Sequence, residues 1–254
     1  MKRIIPIVCI FLGSIASISF AQNLKPEIVG NKEIVTKERA ISSFKHLKVI
    51  GLEIELEKSQ SPTLKITAES NIVDHVVSEL RGDTLLFYTK RDQPLREITV
   101  PKLHVGYQEV QSILASNASV KLLTPLKSEA LLVKLQIKSS LVGELNVKNL
   151  NMSLTTSQAT LSGKSNSCQI DMFVLSKLIA EEFYTDIAEV REETQCESYL
   201  NVGTSLTPRL FGESKIENKG SAKENILYPP MEQMLSWERM KNRMNRKSDL
   251  MYFE

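Results

Sequence analysis

The sequence predicts an all-β protein. Its C-terminal part is β-solenoid-like, of the single-stranded β-helix kind, and a small β module with one short helix precedes it. Three observations carry this prediction. Val133, Leu135 and Ile137 alternate with Lys134, Gln136 and Lys138, and Leu150, Met152 and Leu154 alternate with Asn151, Ser153 and Thr155. Successive side chains on a strand point to opposite faces, so each run presents one apolar and one polar face. Small polar corners such as Ser139-Ser140 and Thr156-Ser157 separate the runs, with no helix-length segment between them, which favours stacked coils or a meander over βαβ units. Leading strands then recur at intervals of roughly 20 residues, within the range of solenoid coils.

The chain has 254 residues, 42% hydrophobic and 24% charged, enough for one or two domains with real cores. A formal net charge of +2 provides no global field for nucleic acid or an anionic membrane. At the N-terminus, Lys2 and Arg3 precede a mainly apolar Ile4–Ile18, and Ser19-Phe20-Ala21 fits the small-x-small cleavage rule. This predicts a signal peptide over residues 1–21, export through the Sec pathway, and Gln22 as the first mature residue. The alternative, an uncleaved anchor, has a short apolar stretch to work with. No later segment is apolar enough to span a bilayer as a helix, and Cys9 reads as an ordinary residue of the apolar region. Cys168 and Cys196 remain in the mature chain, where they could form a disulfide or stay as buried free thiols.

In order along the chain, residues 22–38 read as a polar leader with an edge strand at Glu33–Thr36. A β module follows over 39–108. In it, His46–Ile50 and Leu52–Glu57 suggest a hairpin-like pair around Gly51, and Thr63–Ala68 another strand after the turn-forming Ser59–Pro62. Ser70–Leu80 has the spacing of a short helix, with Ser70 as cap, Ile72, Val73, Val76, Val77 and Leu80 on one face, and Gly82 as terminator. Thr84–Lys90, Ile98–Pro101 and Leu103–Tyr107 resume the β pattern. The repeating part is expected over 109–220, with strands from Leu131–Ile137 through Leu210–Ile216. Within it Leu175–Phe183 could instead be a helical turn, since Leu175, Leu178, Ile179 and Phe183 share a helical face. Pro229-Pro230 opens a tail (221–254) in which Met231, Met234, Leu235, Trp237, Met240 and Met244 make an apolar stripe. That stripe suits an amphipathic helix, either capping the domain end or meeting a partner or membrane surface.

Ile41-Ser-Ser-Phe44, the strand pair after it, Ile72-Val-Asp-His-Val-Val77 and Gly82-Asp-Thr-Leu-Leu86 resemble the opening half of the head GIN domain family. Members of that family carry the label of putative auto-transporter adhesins and have no established biochemical activity. The resemblance covers about Arg39 to Gly220. It implies a two-part all-β architecture and an exported protein of a didermal bacterium, in the periplasm or on the outer surface. The family repeats Ser-Gly corners; here they appear as Ser116-Asn-Ala-Ser119, Ser139-Ser140 and Thr156-Ser157, largely without glycine. Near the end, Leu210-Phe211-Gly212-Glu213-Ser214 lacks the family's proline.

Few short strings carry chemistry. Arg81-Gly82-Asp83 matches an integrin-recognised tripeptide, but a cation at a helix end, a positive-φ glycine and a turn aspartate explain each residue structurally. Asp83-Thr84-Leu85 and the sequons at Asn117 and Asn151 are weak modification signals. His46, His75 and His104 are isolated and have no metal-motif spacing, so no metal or cofactor is expected. The pairs Glu181-Glu182 and Glu192-Glu193 read as solvated corners. The competing reading makes them the acids of a polysaccharide-active enzyme on a β-helix. No nucleophile elbow, phosphate loop or basic patch with aromatics is present. The expectation is a non-enzymatic cell-envelope scaffold or binding module, with an envelope protein or a glycan as partner and no nucleic acid.

Overall fold

The computed structural model describes residues 26–90 and 93–224; the expected signal peptide and the Met-rich stripe of the tail lie outside these residues. Among the described residues eighteen strands follow one another. They are β1 (Ile28–Val29), β2 (Ile34–Arg39), β3 (His46–Ile50), β4 (Glu53–Lys58), β5 (Thr63–Glu69), β6 (Val76–Arg81), β7 (Thr84–Thr89), β8 (Leu95–Arg96) and β9 (Lys102–Tyr107). There follow β10 (Ser112–Ser116), β11 (Ser119–Leu122), β12 (Leu126–Gln136), β13 (Ser140–Thr155), β14 (Gln158–Phe173), β15 (Lys177–Glu193), β16 (Glu197–Phe211), β17 (Lys215–Asn218) and β18 (Lys223–Glu224). The C-terminal part is a β-solenoid of about five turns, as the sequence predicts.

Each coil contributes to three ribbons of parallel strands. The first ribbon stacks β9, β4, β11, the starts of β13 to β16, and β17. The second stacks the start of β12, the middles of β13 to β16, and β18. The third stacks β7, β3, β10 and the ends of β12 to β16. The N-terminal strands are thus the opening layers of the same stack. Antiparallel strands close this end: β5 and β2 beside β9, and β6 beside β7. Buried Glu69 ties the leader down, accepting hydrogen bonds from the Lys32 and Thr99 amides at 2.9 and 2.7 Å. Those amides hold its carboxyl at a pKa of about 2.

Register converts alternation into a continuous core. One inward row of the first ribbon runs Ile54, Val120, Leu141, Ala159, Leu178, Ser198, Ile216. One of the third runs Phe87, Val49, Ala115, Leu135, Leu154, Met172, Glu192, Leu210. Such rows exclude water along the whole stack, and hydrophobic burial is their stabilising term.

The corner between the third ribbon and the next coil turns in the left-handed region. Asn117, Ile137, Lys138, Thr156, Val174, Leu175, Thr194 and Gln195 all have φ between 49° and 65°. These are the corners where the sequence lacks glycine, so non-glycine residues, several of them β-branched, carry the conformational cost. A buried ladder beneath them offsets it. Ser139, Ser157 and Ser176 each donate to a carbonyl of their own corner, at 2.6, 2.9 and 2.7 Å. The amides of Ala118, Ser139 and Ser157 donate in turn to the hydroxyl of the next coil at 3.2–3.3 Å. Cys196 takes the serine place one coil on, its thiol donating to the Glu193 carbonyl and its amide to Ser214.

Three local expectations change. The helix expected over Ser70–Leu80 is absent. Only Val73–His75 forms a 3-10 turn, and Val76–Arg81 is β6, paired with β7 from Val76↔Thr89 to Arg81↔Thr84. The apolar spacing fits a helical face, but three of its five residues are valines, which favour extended backbone, and β7 provides a ladder for them. Likewise β3 and β4 do not pair with each other around Gly51: β3 joins β7 and β10, β4 joins β9 and β11, and Gly51 (φ 69°) turns a coil corner. Leu175–Phe183 contains no helical turn; Leu175 is a corner residue and Lys177 begins β15.

Replacing Ser157 by alanine removes the acceptor of the Ser139 amide and the donor to Thr155, so stability falls by about 1–3 kcal/mol in urea unfolding. Cys196→Ser, which keeps both roles, stays within about 1 kcal/mol of wild type in the same measurement.

Candidate functional site

The short strings singled out in the sequence fall at separate places. Arg81-Gly82-Asp83 forms the tip of the β6–β7 hairpin, exposed, with Gly82 at φ 58°. The Arg81 guanidinium is engaged by its own strand, donating twice to Glu79 at 2.9 Å, and the Asp83 carbonyl accepts from the Lys45 and His46 amides. Thr84 is already paired in β7. Asn117 is an exposed corner residue and Asn151 an exposed strand residue. His104 lies on the first ribbon beside Glu57 at 3.0 Å and Glu55 at 3.8 Å, His75 in the 3-10 turn, and His46 at the start of β3 with its Nδ1 2.8 Å from Ser112 Oγ. Among the described residues no group of three or more His, Cys, Asp or Glu is placed to hold a metal ion.

Cys168 and Cys196 are free, buried thiols rather than a disulfide. They belong to different inward rows. Cys168 stacks between Leu150 and Ala188 and meets Ser165 Oγ at 3.0 Å, while Cys196 stands in the corner ladder. Burial raises both thiol pKa values, and the nearby Glu192 and Glu193 carboxylates add to the effect on Cys196. Neither is therefore an activated nucleophile.

The four paired glutamates do not converge. Glu181 and Glu182 are exposed, and Glu182 accepts from Lys219 at 3.0 Å. Glu193 faces outward in an ion pair with Arg191, whose guanidinium lies 6.0 and 5.5 Å from the Phe173 and Phe211 ring centres. Glu192, expected as a solvated corner residue, is fully buried. It continues the inward alternation of Ala188 and Val190, between Met172 and Leu210 in the stack. Ser198 faces it from the first ribbon, but neither carboxylate oxygen nor the Ser198 hydroxyl has a partner at hydrogen-bond geometry. Burial pushes its pKa up to about 7, and Ser198 offsets this only in part.

An extended concavity runs across the coils where the second ribbon meets the third, with a volume of about 1460 Å³. Its origin is a repeated slip in alternation. In each coil two consecutive residues leave the core together: Glu129-Ala130, Lys148-Asn149, Asn166-Ser167 and Asp186-Ile187. Register then stacks the outward side chains into rows. One reads Leu132, Asn151, Gln169, Glu189; another Ala130, Asn149, Ser167, Ile187; a third Lys127, Asn146, Lys164, Tyr184. Some groups are pre-positioned: Ser167 Oγ donates to Asn149 Oδ1 at 2.8 Å, Tyr184 to Asp186 at 3.0 Å, and Lys148 pairs with Glu129. Tyr184, 43% exposed, closes one end, and His46 with Gln111 the other. Gly203 in the next coil makes room for the tyrosine: a Cβ there would come within 2.2 Å of its hydroxyl. The slip is visible in the sequence as the break in period at Val147-Lys148-Asn149-Leu150. Sequence reasoning nevertheless missed the groove, because nothing local says which outward residues stack.

A family model described as "Putative auto-transporter adhesin, head GIN domain" matches residues 43–222. No curated protein matches. Among solved structures, a putative adhesin from Bacteroides fragilis is similar with a TM-score of 0.72 at 17% identity, over 79% of this chain and 95% of that one. A putative adhesin from Parabacteroides merdae gives 0.58 at 18% identity, over 80% and 99%. A protein named a putative lipid binding protein, from Parabacteroides distasonis, gives 0.56 at 20% identity, over 80% and 100%. These likenesses concern the fold.

The buried Glu192 has a pH signature. A carboxyl whose folded pKa is raised binds more protons folded than unfolded between about 4.5 and 7. Its stability cost is therefore absent below that window, grows as pH rises through it, and is constant above. Glu192→Gln flattens this component of the stability–pH curve. Glu192→Met, matching the residue stacked next to it, raises stability at pH 8 by roughly 2–3 kcal/mol in urea unfolding and by little at pH 4.

Proposed function

From the premise that this chain belongs to the head GIN domain family, we propose that it is an exported, non-enzymatic cell-envelope protein of adhesin type whose solenoid groove is a binding surface. The observation that carries the reading is the groove itself: outward polar side chains held in register on stacked parallel strands. Binding groups on rigid strands lose little conformational entropy when a ligand arrives. The N-terminal Lys2-Arg3, the apolar stretch after them and Ser19-Phe20-Ala21 support Sec export with cleavage before Gln22. No described helix is long and apolar enough to cross a membrane. The polysaccharide-enzyme alternative loses its support because Glu181, Glu182, Glu192 and Glu193 point to different surroundings and share no cleft.

Two measurements test this. N-terminal sequencing of the chain from fractionated cells is expected to begin at Gln22, with the protein in the periplasm or on the outer surface and none retained in the cytoplasm as precursor. The mature chain immobilised on a resin is expected to retain a component of an envelope extract, and a variant with Asn149, Asn151 and Gln169 all changed to alanine to lose it. Equal retention by that folded variant would remove the groove from the function.

A further inference from the structure

We infer that the groove takes a linear, largely uncharged glycan, lying parallel to the solenoid axis and touching successive coils. The inference rests on the binding reading above and specifies its ligand class.

Three features point to this occupant. The first is charge. Lys127, Lys148 and Lys164 stand against Glu109, Glu129, Asp186 and Glu189 along the lining, and the Lys148–Glu129 pair is already closed. Such a near-balanced wall does not concentrate a polyanion or a polycation, so nucleic acid and highly charged peptides gain nothing there. The second is hydrogen-bonding type. The Asn151 and Gln169 side chains are exposed and, among the described residues, have no side-chain partner. Each amide offers two donors and an acceptor, the complement of a sugar hydroxyl, which both gives and accepts. The Ser167–Asn149 pair next to them holds a further amide in a defined orientation. The third is repeat. The lining crosses six stacked strands, β3, β10, β12, β13, β14 and β15. At about 4.8 Å between neighbours this gives a track of about 24 Å. Amide and hydroxyl groups recur on two neighbouring coils, Asn149 and Asn151 on β13 and Ser167 and Gln169 on β14, so a polymer of identical hydroxylated units can repeat its contacts across them. A globular partner would need no such periodicity. Tyr184 at the end of the track offers an exposed ring face with an anchored hydroxyl, suited to the C–H face of a pyranose.

The test uses the full mature chain, residues 22–254, and isothermal titration with unbranched neutral oligosaccharides of about two to eight units. The panel comprises β-1,4-linked N-acetylglucosamine, α- and β-linked glucans, mannan and xylan fragments, with polygalacturonate fragments as a charged control. At least one series is expected to bind, with affinity rising with length and levelling off at about five units, where the track of about 24 Å is filled. Asn151→Ala combined with Gln169→Ala, and separately Tyr184→Ala, are expected to weaken binding at least tenfold. Lys121→Ala, exposed on the first ribbon, is expected to leave it unchanged. Circular dichroism melts confirm that each variant is folded.

Affinity that does not grow beyond two units, or that ignores the groove variants, overturns the lengthwise glycan. Binding only to polygalacturonate, abolished by salt and by Lys127→Ala with Lys164→Ala, overturns the uncharged class. If no oligosaccharide binds but the groove variants still lose an envelope protein from extract, the glycan inference fails while the binding reading stands. Loss of both takes the binding reading with it.

Discussion

The structure depends on a buried hydroxyl ladder at one corner of the coil. A chain that closes a coil every 18 to 20 residues must turn sharply, and from Asn117 to Gln195 it turns through left-handed backbone without glycine. Each such corner leaves amide and carbonyl groups at the edge of an apolar core, where an unsatisfied polar group costs free energy. Ser139, Ser157, Ser176, Cys196 and Ser214 resolve both problems, each bridging its own coil's carbonyl and most accepting the preceding coil's amide. Because the acceptors lie one coil away, the ladder also sets the register between coils. Every row of inward and outward residues then follows.

Two consequences of that register matter for function. It gathers amides and hydroxyls that are distant in sequence into one groove, at a spacing set by strand pairing rather than by loops. Rigidity comes from the core rows beneath, so the groove needs no closing lid to present its groups. Register also places Glu192 where every neighbour in its row is apolar. A buried carboxylate without a partner lowers stability, and proteins retain such groups at a cost. It lies away from the groove lining and faces Ser198, so its effect is on stability and not on the groove.

Much of the repeating part was legible in the sequence. The alternation at Val133–Ile137 and Leu150–Thr155 predicts the inward rows correctly as far as Leu135. Ile137 is the exception, an exposed corner residue, because the strand ends at Gln136 and the chain turns left-handed there. The corner serines were recognisable as corners, but their role as a ladder was not, since it needs the coil-to-coil pairing. Ser70–Leu80 was misread because periods of 3.6 and 2 overlap over a few residues. Ile72, Val73, Val76 and Val77 satisfy a helical face, and only the availability of β7 as a partner decides for the strand. Glu192-Glu193 was misread for a different reason. Adjacent acidic residues suggest solvent, yet adjacent residues on a strand face opposite ways, so one of them had to point inward.

The sequence by itself determined the properties carried by neighbours in the chain: the all-β class, strand alternation, small polar corners, a coil length near 20 residues and the resemblance to the head GIN domain family. These are readable because side-chain alternation is local and repeats every two residues. Tertiary structure alone decided which residues meet. Coils differ in length, and irregularities between Thr160 and Ser162 and between Ile179 and Tyr184 shift the register by a residue or more. Shifting by one residue exchanges core for surface. Hence the groove, the serine ladder and the buried Glu192 exist only once the coils are stacked.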